Sequence, residues 1–262
     1  MTAGALPSPF EALATSYDET FTSSRIGTRM RRAVWRRLDA AFAPRARVLE
    51  LGCGTGEDAV HLAGRGVFVL ATDSAEGMVA QARAKVERAG VADRVTTRAL
   101  DAGRLGEIDL DGPFDGAFSN FGALNCVPGL AAVSAGLSRH VRPGGRVLLC
   151  LMGRYVPWEW GWFLAHGDRK AAFRRLARGG TEWRGLHVTY PPVRELRRLF
   201  APGFRFLGAR AIGALVPPSY AEEWTGRHTH LLAALDAVER RIEAVPPFPS
   251  FADHVLVELE RR

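Results

Sequence analysis

A glycine-rich turn constrains the fold of this chain more than any other feature: Glu50-Leu51-Gly52-Cys53-Gly54-Thr55-Gly56. The turn follows the apolar run Arg47 to Leu51, which predicts a buried strand, and it precedes Glu57 to Ala63, which predicts a helix. Glycine adopts backbone φ values closed to other residues and lets a ligand come close to the main chain. A strand, a glycine turn and a helix in this order predict a site for a nucleotide-containing cofactor.

Apolar and helical segments alternate along the rest of the chain. Predicted strands cover residues 67–72, 94–100, 114–119 and 145–152, and two more cover 204–212 and 251–259. Predicted helices cover residues 75–89, 130–140, 193–200 and 231–244. Strands that alternate with helices predict an α/β fold with a doubly wound, mostly parallel sheet.

The spacing of the glycines distinguishes between two kinds of cofactor site. A dinucleotide-binding turn has the pattern G-x-G-x-x-G, whereas Gly52, Gly54 and Gly56 form G-x-G-x-G after the acidic Glu50. This pattern resembles the first motif of the class I S-adenosylmethionine (SAM)-dependent methyltransferases, and residues 142–145 resemble the turn before their fifth strand. The resemblance implies S-adenosyl-L-methionine as cofactor. It also implies a seven-stranded Rossmann-like sheet whose last strand is inserted antiparallel.

The length of 262 residues predicts one domain. Within it we expect an N-terminal helical lid (1–44), a cofactor-binding half (45–152), a substrate cap after strand 5 (153–190) and a C-terminal part of the sheet (191–262). The cap segment is far longer than a connecting loop of ~2–6 residues. Inside the cap, arginines interleaved with Phe173 and Leu176 predict a helix with one solvated face over residues 169–178.

Residues at the carboxyl ends of the predicted strands are candidates to bind the cofactor, because ligands of such sheets lie there. A carboxylate at Asp73 can accept hydrogen bonds from ribose hydroxyls. The resemblance places Asp101 beside the adenine, Asn120 and Phe121 near the methionine portion, and Tyr17 in a lid. The predicted set is Tyr17, Arg25, Glu50, Gly52, Cys53, Gly54, Asp73, Ser74, Met78, Asp101, Ala102, Asn120 and Phe121. Structural alternatives exist: a helix cap for Asp73, a solvated loop for Asp101 and a core position for Tyr17.

No residue is marked by its sequence context as a general base. The candidates are Glu159, His166, His187 and Tyr190, and each has a surface or hydrogen-bonding alternative. The predicted substrate-binding residues are Asn125, Trp158, Trp160 and Tyr220. Aromatic residues in the cap favour an apolar or planar acceptor, although the same rings can form the core of the cap itself. No metal site is predicted, because His228 and His230 stand two positions apart on a helix and face different ways.

Charge and cysteine content bear on partners and location. The net charge is +7, but the 35 basic residues include only two lysines and are spread along the chain, which disfavours a nucleic-acid partner. Three cysteines do not form a disulfide framework. Without a signal peptide or a stretch of ~20 apolar residues, we expect a cytoplasmic protein with no membrane contact, as a monomer or homodimer.

These patterns predict an enzyme that methylates an oxygen, nitrogen or carbon atom of a small, aromatic or apolar organic molecule. One alternative is an RNA or DNA methyltransferase. Against it, residues 119–122 (Ser-Asn-Phe-Gly) lack the D/N-P-P-Y/F motif with which many such enzymes stack a flipped base. Another alternative is a SAM-binding partner or sensor protein without catalysis, since the residues that bind the cofactor would be the same.

Overall fold

A computed structural model of the chain describes residues 10–11 and 23–262. Its strands are β1 (Arg47–Leu51), β2 (Phe68–Asp73), β3 (Val95–Ala99), β4 (Phe114–Ser119), β5 (Val141–Met152), β6 (Thr181–Trp183), β7 (Leu186–Val188), β8 (Phe204–Ile212) and β9 (His254–Arg261). Its α-helices are α1 (Arg25–Ala41), α2 (Glu57–Gly64), α3 (Glu76–Arg88), α4 (Leu130–His140), α5 (Pro157–Ala165), α6 (Arg169–Phe173), α7 (Val193–Phe200), α8 (Glu222–Arg227) and α9 (Thr229–Ile242).

Seven of these strands form one sheet in the order β3-β2-β1-β4-β5-β9-β8. Strands β1 to β5 pair in parallel, and β9 lies antiparallel between β5 and β8. The doubly wound, mostly parallel sheet and its inserted antiparallel last strand are thereby confirmed. The parallel order also brings the carboxyl ends of β1 to β4 to one edge, where ligands of such sheets bind.

The sheet is buried on both faces. Along β1, Val48 packs with α1, α2 and α3, whereas the next residue, Leu49, packs with α4 and α7 on the opposite face. This alternation follows from the two-residue period of a strand. Helix α1 contributes Ile26, Val34 and Leu38 to the first layer, all fully buried. Residues 25–41 of the predicted N-terminal lid are therefore part of the core, because their apolar side chains cover the sheet.

The segment between β5 and α7 holds α5, α6 and the two-stranded sheet of β6 and β7. The helix expected over residues 169–178 is shorter: α6 ends at Phe173, a 3₁₀ turn follows over Arg174–Leu176, and Arg175 in that turn is buried instead of solvated. Burial of Arg175 follows from its ion pairs with Glu159 and Asp253. Among residues 10–11 and 23–262, no helix is both long and apolar enough to span a membrane.

Strand β5 begins earlier than expected, at Val141 instead of residue 145. In its pairing with β4, Phe114 lies opposite Val141 and Gly116 lies opposite Arg146. The four residues 142–145 thus stand against one residue, Asp115, and Gly144 has a φ of 77°. The turn expected here is present as an irregularity within the strand.

Candidate functional site

A cavity of about 1080 Å³ lies over the carboxyl ends of β1 to β4, with the cap segment as its opposite wall. Most of the predicted cofactor-binding residues line it: Gly52, Gly54, Asp73, Ser74, Met78, Asp101, Ala102, Asn120 and Phe121. The cavity exists because four parallel strands end at the same edge and their connections diverge to opposite faces of the sheet.

The glycine turn after β1 uses its glycines in two ways. Gly52 and Gly54 have φ values of 71° and 52°, in the left-handed region that favours glycine. A Cβ on Gly52 would lie 2.2 Å from the Cβ of Ala123, so the absence of a side chain lets the turns after β1 and β4 pack together. A Cβ on Gly54 would have nothing within 4 Å. Gly54 therefore leaves open space on the wall of the cavity.

Asp73 connects the end of β2 to the glycine turn. Its Oδ2 accepts a hydrogen bond from the Gly54 amide at 2.9 Å, and its Oδ1 accepts one from the Ala75 amide at 3.0 Å. Burial raises the pKa of Asp73, and the hydrogen bonds from Ala75 and Gly54 oppose that rise. A carboxylate has about four lone-pair positions, so Asp73 keeps acceptor capacity for a ligand.

Asp101 and Ala102 follow β3 at the next position along the edge. The Oδ1 of Asp101 accepts a hydrogen bond from the Gly103 amide at 2.8 Å, and Ala102 begins a 3₁₀ helix that ends at Glu107. Asp101 therefore caps this short helix while its side chain remains exposed on the cavity wall. Its position fits contact with a polar group of a ligand.

The turn after β4 holds a non-glycine residue in the left-handed region. Phe121 has a φ of 51°, and Gly122 has one of 83°. Such a conformation costs about 1–3 kcal/mol at a non-glycine residue and persists where the surroundings over-determine it. Asn120 donates from Nδ2 to Asp58 Oδ2 at 2.9 Å, while its Oδ1 has no hydrogen-bond partner among the described residues.

Three predicted cofactor-binding residues lie outside the cavity. Glu50 is buried, and burial together with the charge of Asp58 raises its pKa well above the ordinary value. Cys53 is buried, and its amide donates to the carbonyl of Thr72. The Arg25 side chain is 60% exposed, with Nη1 3.9 Å from Glu222 Oε1, and the backbone amide of Arg25 donates to the same carboxylate at 2.8 Å. Tyr17 lies outside the described residues.

Of the candidate general bases, the structure brings Tyr190 alone to the cavity, with its hydroxyl 3.2 Å from Thr181 Oγ1. Glu159 is buried elsewhere, because Arg174 and Arg175 both donate to its Oε1. His166 is exposed and bonded through Nδ1 to the carbonyl of Trp162, and His187 is exposed between Glu182 and Gly179. Internal partners thus hold Glu159, His166 and His187 outside the cavity, which corrects their expected place.

The predicted substrate-binding residues also lie outside the cavity. Asn125 is fully buried, accepts a hydrogen bond from the Met152 amide and donates to the carbonyl of Thr189. Trp158 donates to the Leu215 carbonyl. Trp160 packs on Phe173, and Tyr220 packs on Trp162 and Phe163. Internal hydrogen bonds and ring packing account for these side chains, and they correct the expected contact with substrate.

The predicted site residues leave out several residues that line the cavity. They include Phe10, Lys170, Arg174, Trp183, Leu186 and Val188. The signal that could have found the last three is the short hairpin around Gly185: alternate residues of a strand face one side, and this hairpin turns back over the strand ends. No group of three or more His, Cys, Asp or Glu side chains within the described ranges could hold a metal ion.

Three features together define a class I methyltransferase fold. They are a glycine turn after the first strand, acidic residues at the next two strand ends, and an antiparallel last strand. Residues 48–145 match the family model described as a methyltransferase domain. Over these residues the chain resembles the class I S-adenosylmethionine-dependent methyltransferases, and this likeness supports S-adenosylmethionine as its cofactor.

Comparison with individual proteins extends this assignment. Over 146 residues the chain is 36% identical to the demethylmenaquinone methyltransferase of Mycolicibacterium vanbaalenii, a match that covers 55% of this chain and 58% of that protein. The chain thus spans little more than half the length of the curated relatives it matches. Two solved structures share the fold. A DhpI-SAM-HEP complex has a TM-score of 0.60, 20% identity and coverage of 96% of this chain and 94% of that chain. The [4+2]-cyclase SpnF has a TM-score of 0.54, 18% identity and coverage of 96% and 80%.

Proposed function

We propose that the protein transfers the methyl group of S-adenosylmethionine to an oxygen, nitrogen or carbon atom of a small, largely apolar organic acceptor. The observation that carries the proposal is one cavity of about 1080 Å³ whose walls are the strand ends on one side and the cap on the other. Ligand pockets commonly have volumes of about 300–1,000 Å³. The volume therefore suffices for a cofactor and an acceptor side by side.

The strand-end wall fits S-adenosylmethionine in its donor and acceptor chemistry. Gly54 leaves open space beside the main chain, and Asp73 and Asp101 present carboxylates to hydroxyl or amine donors. Asn120 adds an amide oxygen without a partner in the part of the chain that the structure describes. With Phe121, these residues would hold the cofactor. When bound, the cofactor supplies an electrophilic methyl group on a sulfonium.

The main task left to the protein is to orient the acceptor. Proximity and orientation can lower the activation free energy by about 7–11 kcal/mol. A single general base contributes about 10²–10⁴-fold, which is about 3–5 kcal/mol. Rigid walls that position the acceptor therefore matter more than a base, which is needed only where a hydroxyl or ammonium proton must leave.

The cap-side wall indicates the character of the acceptor. Trp183, Leu186 and Val188 present apolar surface, the neighbouring hydroxyls of Tyr190 and Thr181 present polar atoms, and Lys170 and Arg174 present positive charge. Such a wall suits a planar or aliphatic body that carries a hydroxyl, carbonyl or anionic group. The name of the curated relatives, demethylmenaquinone methyltransferase, supports the inclusion of a quinol-like compound among the acceptors to be tested.

Two measurements test the proposal. Calorimetry with S-adenosylhomocysteine (SAH), the demethylated cofactor, measures binding to the strand-end wall. Methyl-labelled S-adenosylmethionine is then incubated with quinol, phenol, amine and carbon-acid acceptors, and mass spectrometry detects the labelled product. The product itself must be detected, because the fold is shared with a protein described as a cyclase. Cofactor binding and transfer to at least one acceptor are expected, and both should be weaker in the Asp73→Ala variant.

The other outcomes identify the alternatives. Label transferred to RNA or DNA, with binding that weakens steeply as salt rises, would replace the small acceptor by a nucleic acid. SAH binding with no labelled product from any acceptor would favour a sensor or partner protein.

The free thiols of Cys53, Cys126 and Cys150 agree with the proposed cytoplasmic location. The choice between monomer and homodimer stays a prediction.

A further inference from the structure

Arg31 is a buried cation on helix α1, beneath the cofactor wall. It is 6% exposed, and its Nη1 lies 2.6 Å from Asp58 Oδ1. The carbon at the centre of its guanidinium group lies 4.8 Å from the centroid of the Phe121 ring. A buried charge persists where it is paired and hydrogen-bonded. Arg31 therefore joins a carboxylate in the first turn of α2, which follows β1, to an aromatic ring in the turn after β4.

Asp58 extends this contact to the cavity. It stands in the first turn of α2, directly after the glycine turn, and its Oδ1 also accepts a hydrogen bond from Trp35 Nε1 at 2.7 Å. Its Oδ2 accepts the bond from Asn120 Nδ2 at 2.9 Å. Burial raises the pKa of Asp58, but the charge of Arg31 and the bonds from Asn120 and Trp35 outweigh it and lower that pKa. Asp58 is therefore an ionised acceptor that fixes which way the Asn120 amide faces.

Asn120 and Phe121, the side chains that Asp58 and Arg31 contact, both line the cavity and are adjacent in the chain. Asn120 is held through Asp58, and Phe121 is held by its contact with the guanidinium group. Phe121 has the left-handed φ of 51°, a conformation that requires support from its surroundings. Arg31 supports the turn after β4 at two neighbouring residues, although it does not itself line the cavity.

We infer that Arg31 is a positioning residue of the cofactor site, which acts through Asp58 on Asn120 and directly on the ring of Phe121. The inference rests on the proposed function, because the ligand that Asn120 and Phe121 would contact is S-adenosylmethionine. It assigns to helix α1 a role in cofactor binding in addition to its role in the core. SAH is a suitable probe, since its binding requires no knowledge of the acceptor.

The test compares three variants of helix α1 by calorimetry with SAH, well below the unfolding temperature of each. Arg31→Met is expected to weaken binding about tenfold or more, within the range of ordinary coupling between sites. Arg31→Lys keeps the charge beside Asp58 but not the planar group over Phe121, and its affinity should lie between those of Arg31→Met and the wild type. Arg37→Met is the matched control, because Arg37 pairs with the buried Glu258 away from the cavity.

A double-mutant cycle distinguishes positioning from a general loss of structure. If Arg31 acts through Asn120, the Arg31→Met change should cost less SAH affinity in an Asn120→Ala background than in the wild type. Full additivity, unchanged affinity in Arg31→Met, or an equal loss in Arg37→Met would each overturn the inference. If Arg31→Met does not fold, Arg31→Lys carries the same cycle. Failure of the wild type to bind SAH would instead overturn the proposed function.

Discussion

The carboxylate of Asp73 at the end of β2 accepts a hydrogen bond from the backbone amide of Gly54 in the turn after β1, with 2.9 Å between Oδ2 and N. The same carboxylate holds the Ala75 amide, at the entry to α3. One side chain thus fixes the shape of two connections and also faces the cavity. The helix-cap alternative and the cofactor-binding interpretation of Asp73 are compatible, because a carboxylate can serve both.

Asp73→Ala is expected to weaken SAH binding by about 1.5–3 kcal/mol for each charge-assisted hydrogen bond to the ligand that is lost. Calorimetry measures the change. Asp39→Ala is the control, since Asp39 pairs with His61 at 2.8 Å and does not line the cavity. An Asp73→Ala protein that is folded and binds SAH as tightly as the wild type would contradict the assignment of this residue.

The cofactor half could be predicted from the sequence because its signals are local. Apolar runs mark β1 and β4, and the glycines mark the turn. Because parallel strands end at the same edge of the sheet, any residue at a strand end lies near the ligand. What the local pattern could not show is whether an acidic residue faces the cavity or the core. Glu50 is the last residue but one of β1 and Asp73 ends β2, yet the structure buries Glu50 and places Asp73 on the wall.

Two glycines of the turn should respond differently to the same substitution. Gly52→Ala places a methyl group 2.2 Å from Ala123 Cβ, so it should lower the free energy of unfolding by about 1–3 kcal/mol through overpacking, besides about 1–2 kcal/mol of backbone strain. Urea unfolding measures the loss, and Ala123→Gly in the same chain should restore the overpacking part.

Gly54→Ala should incur only the backbone strain, about 1–2 kcal/mol, because no atom lies within 4 Å of its Cβ position. Its methyl group would occupy space on the cavity wall, so SAH affinity should fall far more than stability does. Calorimetry and urea unfolding of the same preparation compare the two losses. Unchanged SAH affinity in Gly54→Ala would show that the ligand does not approach this turn.

The cap was harder to predict because its side-chain directions depend on distant partners. Helix α5 is apolar on nearly every side, so no periodicity marks an inner face, and its one carboxylate, Glu159, points inward. The reason is Arg175, which also pairs with Asp253, the residue just before the last strand β9 and 78 positions further along the chain. Local patterns contain no signal for such a pair.

The cap also supplies a matched pair of tryptophans. Trp183 lines the cavity and is 41% exposed, whereas Trp160 packs on Phe173 outside it. Burial of a large apolar side chain against a ligand is worth about 1.5–3 kcal/mol, so Trp183→Ala should lower kcat/KM for the acceptor about tenfold or more and leave SAH affinity unchanged. Trp160→Ala should lower only the stability of the cap. Equal effects on acceptor kinetics would contradict this placement of the cavity wall.

The buried ion pair of Asp253 and Arg175, with 2.7 Å between Oδ1 and Nη2, predicts how stability depends on pH. Burial raises the pKa of Asp253, but the charges of Arg175 and His254 outweigh burial and lower that pKa below its ordinary value. A carboxyl group whose pKa is lower in the folded chain stabilises the fold above its unfolded pKa of about 3.9. That contribution is lost as the pH falls below this value towards the folded pKa.

Asp253→Asn should therefore reduce the free energy of unfolding by about 3–5 kcal/mol at pH 7, because Arg175 is left buried without this partner. The difference from the wild type should shrink as the pH falls below about 4, since the Asp253 carboxyl of the unfolded wild-type chain then takes up a proton while that of the folded chain remains charged. Urea unfolding at pH 7, 5, 4 and 3 measures this convergence. Asp93→Asn, at an exposed carboxylate, should change stability little at any of these pH values. A loss in Asp253→Asn that is equally large at pH 7 and pH 3 would show that packing, not the charge of Asp253, holds the cap to the last strand.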